Sequence, residues 1–373
     1  MNPLRELTTY GQSVWLDFIQ RRFVSGGGLS RLVREDGVRG MTSNPAIFEK
    51  AIAGTGDYDE AIRTLAQTRH TAEDVYWSLA IEDVQAAADV FRPVYDEMDG
   101  ADGFVSLEVS PRLAHDTEGS IASARELWRR VNRPNAFIKI PGTRAGLPAI
   151  QQCIEDGINI NVTLLFGLPR YRDVAEAYIR GLEARAARGD SIDRVTSVAS
   201  FFLSRIDVLV DPQLETMVKG GGARAQRASG LVGEVAIASA KIAYQMYKEI
   251  FHGARFAALA AKGARPQRLL WASTSTKNPA YSDVKYVEPL IGANTINTMP
   301  PETVDAYRDH GRPAARLEDD VVHARQVLTN LAELGIDIDQ VTQQLEDEAV
   351  AKFDKPFDSL MAALGKKMAK VTA

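Results

Sequence analysis

Ala136-Phe137-Ile138-Lys139-Ile140 is the stretch from which the fold of this chain is read. It is a nearly continuous apolar run, the pattern expected of a strand covered on both faces, as in a parallel sheet flanked by helices. A lysine is out of place in such a run. Desolvation there disfavours the ammonium and favours the neutral amine, which is a nucleophile. Attack of that amine on a ketone, followed by loss of water, gives an iminium ion, an electron sink that permits cleavage of the carbon–carbon bond two atoms away. The alternative is a lysine held in an ion pair with a carboxylate on a neighbouring strand.

Outward from this run, short β-branched or aromatic stretches recur, each followed by a longer amphipathic segment. That alternation is the pattern of parallel strands joined by helical crossovers. It predicts eight strands, at Ser13 to Phe18, Gly37 to Met41, Phe104 to Val109, Ala136 to Ile140, Ile158 to Leu164, Val195 to Phe202, Arg268 to Thr274 and Thr295 to Thr298. The expected fold is α/β, a (β/α)8 TIM barrel with additional helices and a C-terminal helical extension. Residues 1–373 are expected to form a single domain, with the barrel at roughly 10–311 and a helical tail at roughly 312–373 that wraps the barrel or covers its mouth. The clearest helix runs from Thr71 to Met98, with Thr71 as its N-cap, Glu73 and Asp74 in the first turn, and Val75, Leu79, Val84 and Phe91 on one stripe. Glu234 to Phe251 reads as another. Gly26-Gly27-Gly28 and Gly220-Gly221-Gly222 read as mobile loops, the second inside a basic insertion.

Composition narrows the classes. Of 373 residues, 45% are hydrophobic and 25% charged, the proportions of a globular protein with a large core. A net charge of -5 argues against a dedicated nucleic-acid binder, which needs a basic excess. The single cysteine, Cys153, excludes an intramolecular disulfide and cysteine-rich metal sites. Met1-Asn2-Pro3-Leu4-Arg5-Glu6 lacks the basic-then-apolar pattern of a secretory leader, and no stretch has the ~20 apolar residues of a membrane span. The expected compartment is the cytoplasm, with no membrane or nucleic-acid partner.

In a (β/α)8 barrel the reacting groups project from the C-terminal ends of the strands. The first seven predicted strands supply Asp17, Asn44, Glu108, Lys139, Asn161 with Thr163, Ser200 and Ser273 at or near those ends. Imine chemistry needs groups that shuttle protons, for which Glu108 and Asp17 are available. Either carboxylate could instead balance Lys139 and Arg39. Thr163 and Asn161 are two apart on one strand and point the same way, to orient water or sugar hydroxyls or to form a hydrogen-bonded layer of core. Trp271-Ala272-Ser273-Thr274-Ser275-Thr276-Lys277-Asn278 turns from strand into a hydroxyl-rich loop closed by a lysine, the character of a phosphate site at the last strands. Arg205 is a second cation at that rim, and a solvated turn with a surface lysine is the alternative.

Other signals carry less. Ser25-Gly26-Gly27-Gly28 lacks the spacing of a nucleotide-binding loop. His70, His115, His252, His310 and His323 show no metal-ligand spacing, and no Gly-x-Ser-x-Gly elbow is present.

Taken together, the segments Gly40-Met41-Thr42-Ser43-Asn44-Pro45, Val105-Ser106-Leu107-Glu108-Val109-Ser110, Phe137-Ile138-Lys139-Ile140-Pro141-Gly142-Thr143, Asn159-Ile160-Asn161-Val162-Thr163-Leu164-Leu165-Phe166 and Ser200-Phe201-Phe202-Leu203-Ser204-Arg205 resemble transaldolase, of the class I Schiff-base aldolase superfamily. They stand in that family's order, and the likeness covers roughly residues 10 to 310. The resemblance implies that Lys139 forms the Schiff base, that Glu108 with a water near Thr163 shuttles protons, and that Asp17 takes the proton of the donor's C4 hydroxyl. It places Asn44, Asn161 and Ser200 at substrate hydroxyls, and Arg205, Ser273 and Lys277 at the sugar phosphate. It implies transfer of a dihydroxyacetone unit from sedoheptulose 7-phosphate to glyceraldehyde 3-phosphate, giving erythrose 4-phosphate and fructose 6-phosphate in the non-oxidative pentose phosphate pathway. Neither metal nor organic cofactor is implied, and the protein would act as a monomer or homodimer.

The chain looks like the long, single-function form without a fused isomerase domain. Where the shorter form has Ser-Phe-Arg-Asn after the seventh strand, this chain has a longer stretch ending in Lys277, which binds phosphate as a point charge and not as a planar fork. A fructose 6-phosphate aldolase, which releases dihydroxyacetone, is the nearest rival reading. Such aldolases are shorter and carry a tyrosine where this chain has Phe202. A non-catalytic sugar-phosphate-binding barrel is the rival of another class, and the presence of Lys139, Asp17, Glu108 and Thr163 together argues against it.

Overall fold

All eight predicted apolar runs form strands: β1 Gln12–Asp17, β2 Gly40–Thr42, β3 Phe104–Glu108, β4 Ala136–Pro141, β5 Ile160–Leu165, β6 Ser197–Phe202, β7 Arg268–Ala272 and β8 Thr295–Met299. The structure is a computed structural model that describes residues 2–68 and 71–372, so His70 lies outside the described residues. Each strand pairs in parallel with the next, and β8 pairs with β1, which closes the barrel. Closure leaves no strand edge exposed.

The period of two along each strand divides the barrel interior into levels. Trp15, Phe104, Phe137, Val198, Leu270 and Ile296 pack as a cluster of their own, apart from the larger core between strands and helices. Two residues further along the same strands stand Asp17, Ser106, Lys139, Ser200, Ala272 and Thr298. The barrel therefore has an apolar plug below and a mainly polar level above, toward the C-terminal ends. Gly40 faces Trp15 across β1 and β2, and a Cβ at this position would come within 2.4 Å of the indole ring, so the plug needs a glycine there.

Strand boundaries differ from the sequence expectation by up to three residues, for local reasons. Gly37, expected to open β2, takes φ 71° just past the helix Gly28–Asp36 and ends that helix instead. Ser273, expected inside β7, has φ 55° and leaves the extended region, so β7 stops at Ala272.

The two glycine triplets are corrected more substantially. Gly28 begins the helix Gly28–Asp36 and Gly222 begins the helix Gly222–Ser229, so each triplet, expected to be a mobile loop, is a tight break between helices whose last glycine is itself helical. Gly27, Gly221 and Gly222 have φ between 73° and 83°, and glycine adopts this left-handed backbone without the Cβ penalty.

The helix Ala72–Glu97 begins as expected: the Thr71 hydroxyl accepts from the Asp74 backbone N–H at 3.1 Å, and Val75, Leu79, Val84 and Phe91 are all buried. The second expected helix is Val235–Phe251. After β8, the described residues form the helices Pro301–His310, Val321–Glu333 and Ile338–Thr372. The last is tied across the barrel. Arg170 pairs with Glu346 at 3.0 Å, Phe357 meets the Tyr76 ring edge-on at 5.6 Å, and Lys367 donates to the carbonyls of Ile52 and Thr55. Among the described residues, no helix is long and apolar enough to cross a membrane.

Candidate active site

Register brings the central groups together. Glu108 on β3 is the partner of Lys139 on β4, and Lys139 is the partner of Asn161 on β5, so the three side chains share a level on the interior face. Lys139 Nζ lies 3.0 Å from Glu108 Oε2 and donates to the Ser43 carbonyl at 3.0 Å, with both side chains buried. The ion pair that was the alternative reading of Lys139 is thus present. It does not have hydrogen-bond geometry, and neither Glu108 oxygen has a hydrogen-bond partner among the described residues.

Burial raises the Glu108 carboxyl above the usual carboxylate range, although the Lys139 ammonium opposes the shift.

Across the mouth, Asp17 ends β1 next to Thr42 on β2. The Thr42 hydroxyl donates to Asp17 Oδ1 at 2.6 Å and contacts the Thr298 hydroxyl at 2.8 Å. Burial pushes the Asp17 carboxyl up, while Thr42 and Lys139 pull it down. Asp17, Lys139, Thr163 and Ser200 all line one cavity of about 540 Å³. Thr163 follows Asn161 by two, and beyond it β5 shifts register at Leu164, which has φ 56°. The Thr163 hydroxyl is buried with no partner among the described residues.

Not every predicted side chain faces the cavity. Asn161 donates to the Ser106 hydroxyl at 3.0 Å and accepts from Ser200 at 2.7 Å, the hydrogen-bonded layer that was its alternative reading. It is not among the lining residues, and Ser200 stands between the layer and the cavity. Glu108 is likewise reached through Lys139. Asn44 does line the cavity, and its Oδ1 accepts from the Ile47 backbone N–H at 3.0 Å, capping the short helix Pro45–Phe48. That bond holds Oδ1, leaving the amide nitrogen for a ligand.

The rim is cationic. Arg205, the second residue of the helix Ser204–Lys219, lines the cavity with Lys277, Ser273 and Ser275. A helix N-terminus adds partial positive charge to the guanidinium. Lys277 is exposed to solvent at the rim, but desolvation by the surrounding protein and the nearby Arg205 cation pull its ammonium below the usual lysine range, and Glu302 opposes this.

Sequence reading missed several lining residues. Thr298 and Glu302 follow the same strand-end logic at β8, the strand for which no polar group was named. Lys50 sits in the π-helical turn Glu49–Ala53 and Phe353 in the C-terminal helix; no local pattern marks either, because each arrives by tertiary packing.

The family profile described as Transaldolase/Fructose-6-phosphate aldolase matches residues 14–364. A protein of Trichodesmium erythraeum named Transaldolase is 49% identical over 100% of this chain and 99% of its own length. One from Thiobacillus denitrificans with the same name is 46% identical over 98% of this chain and 100% of its own. A third, from Saccharopolyspora erythraea and also named Transaldolase, is 45% identical over 98% and 97%.

Proposed function

Because the chain belongs to the transaldolase/fructose-6-phosphate aldolase family, we propose that its barrel mouth performs transaldolase chemistry, as a transferase of ketol units that works through an imine on Lys139. The observation that carries this reading is the buried Lys139–Glu108 contact of 3.0 Å beneath a cavity that also presents Asp17 and Thr163.

The steps follow from the residues. Neutral Lys139 Nζ adds to the C2 carbonyl of a keto sugar phosphate, and Glu108 supplies the proton with which the C2 hydroxyl leaves as water. The Asp17 carboxylate takes the proton of the C4 hydroxyl. The C3–C4 bond then breaks, its electrons flowing into the iminium to give an enamine and a free aldehyde. The enamine adds to the carbonyl of the incoming aldehyde, Asp17 returns its proton, and water held at Thr163 hydrolyses the new imine with Glu108 as base. In the forward direction sedoheptulose 7-phosphate and glyceraldehyde 3-phosphate give erythrose 4-phosphate and fructose 6-phosphate, the pentose phosphate pathway reaction.

Asn44 and Ser200 serve the sugar hydroxyls, with Asn161 acting through Ser200, while Arg205, Lys277 and Ser273 hold the phosphate. Phe202 lines the same cavity, which supports transfer over simple aldol release. The reading also treats residues 1–373 as one domain in the cytoplasm, monomeric or homodimeric. Packing of the C-terminal helix onto the barrel mouth supports the single domain.

Borohydride reduction in the presence of fructose 6-phosphate tests the central step. A stable three-carbon or sugar adduct on Lys139 is expected by peptide mass, and an unmodified Lys139 in active protein would refute the mechanism.

A further inference from the structure

Two helices and a loop meet just behind the cationic rim, and their contacts form a repeated pattern. Asp207 and Asp211 are one turn apart on the helix Ser204–Lys219, both almost fully buried. Each carboxylate bridges the same two elements through different residues. Asp207 accepts from the Ala236 backbone N–H at 2.9 Å and from the Tyr286 hydroxyl at 2.8 Å. Asp211 accepts from the Gly233 backbone N–H at 2.8 Å and from the Tyr281 hydroxyl at 2.7 Å. The backbone donors lie at the start of the helix Val235–Phe251, and both tyrosines belong to the segment between β7 and β8.

Nothing in the reaction uses these four side chains, yet they bracket the rim. The helix that carries Asp207 and Asp211 begins at Ser204 and Arg205; the segment that carries Tyr281 and Tyr286 begins at Ser273 and includes Lys277. At that end the two are joined again: the Ser204 and Ser273 hydroxyls are 2.9 Å apart, and the Ser204 N–H donates to the Ser273 carbonyl at 3.2 Å. Lys277 borders not only the catalytic cavity but a second one of about 240 Å³, walled by Asp207, Asp211, Tyr281 and Tyr286. The Lys285 ammonium lies 4.4 Å from the Tyr281 ring centroid and 5.9 Å from that of Tyr286.

We infer that Asp207–Tyr286 and Asp211–Tyr281 form a double latch that sets the distance between Arg205 and Lys277, making these four positioning residues for the phosphate of the substrate. The inference rests on the rim being the phosphate site, as proposed above. Two latch rungs and the serine rung fix the segment at both ends of the stretch that bears Lys277, so the cation is presented by a braced loop and not a free one. Preorganisation of this kind lowers the entropy lost when the phosphate is bound. Burial beside the carboxylates also pushes both phenols up, which keeps them protonated as donors.

Tyr281→Phe and Tyr286→Phe test the latch, because each keeps the ring and removes one hydrogen bond. Michaelis constants are measured for glyceraldehyde 3-phosphate and for unphosphorylated glyceraldehyde, together with kcat and Tm. The latch predicts a KM for the phosphorylated acceptor that rises about 5- to 10-fold in either variant, the size of one ordinary net hydrogen bond, with kcat and the glyceraldehyde KM unchanged. Equal changes for both acceptors, or a lowered Tm with neither KM moved, would overturn it in favour of a structural role alone. Tyr281 is only half-buried, so its variant keeps the test open should Tyr286→Phe fail to fold. A wild-type protein with no preference for the phosphorylated acceptor would instead remove the phosphate site itself, whereas a wild-type preference that both variants retain removes only the latch.

Discussion

Lys139 and Glu108 are register partners on β4 and β3, and their charged atoms lie 3.0 Å apart at a level of the barrel where both side chains are buried. The pair is a neutralising contact, and in the mechanism proposed above Glu108 also serves the proton transfers at the imine. An isolated buried ammonium would be strongly disfavoured, and an isolated buried carboxylate equally so. Paired, each offsets the cost of burying the other.

Lys139→Arg keeps a cation beside Glu108 but cannot form an imine. Transfer activity is expected to fall by more than about 10³-fold, as for removal of a covalent nucleophile. Coupled assay of erythrose 4-phosphate formation and borohydride trapping check this, and trapping on the variant would contradict the assignment.

Glu108→Gln keeps the shape and removes the proton carrier. Imine formation with fructose 6-phosphate, followed by stopped-flow or timed reduction, is expected to slow by about 10²- to 10⁴-fold, the range for loss of a general acid–base group. An unchanged rate would assign Glu108 a purely structural role.

The acid limb of the pH profile should lie above the ordinary carboxylate range. In the mechanism proposed above Asp17 acts as a base, which requires the ionised form, and burial holds its carboxyl protonated to higher pH. Lowering the pH through that raised value therefore removes activity, at a pH above the usual aspartate value of about 4. A plot of log kcat/KM against pH reads the limb directly, as a macroscopic value shared with Glu108 and Lys139.

Lys277→Ala and Lys50→Met each remove one rim cation. The KM for phosphorylated substrates is expected to rise about 10-fold or more in each, from loss of a charge-assisted contact, with a smaller effect on kcat. A KM that stays at the wild-type value would remove the substituted residue from the phosphate site.

Phe353→Ala opens the wall that the C-terminal helix contributes. Water would then reach the enamine more readily, so release of free dihydroxyacetone from fructose 6-phosphate alone should increase a few-fold relative to transfer. Parallel assays of release and transfer give the ratio, and a constant ratio would mean that Phe353 does not shield the intermediate.

The parts of this protein legible without its structure are those written in local periodicity. Continuous apolar runs such as Phe137-Ile138-Lys139-Ile140 and the long stripe from Val75 to Phe91 state their own conformation, because burial on two faces or on one stripe is a property of neighbouring residues. The strand-end positions of Asp17, Glu108, Lys139 and Thr163 follow from the same runs. What the chain alone left open was decided by closure of the barrel. Only the register of β3, β4 and β5 puts Glu108 against Lys139 and ties Asn161 to Ser106 and Ser200; only long-range packing brings Lys50, Phe353 and the Asp–Tyr latch to the mouth. Those contacts join residues up to hundreds of positions apart, and their geometry depends on how eight strands are sheared around one axis, which no single segment encodes.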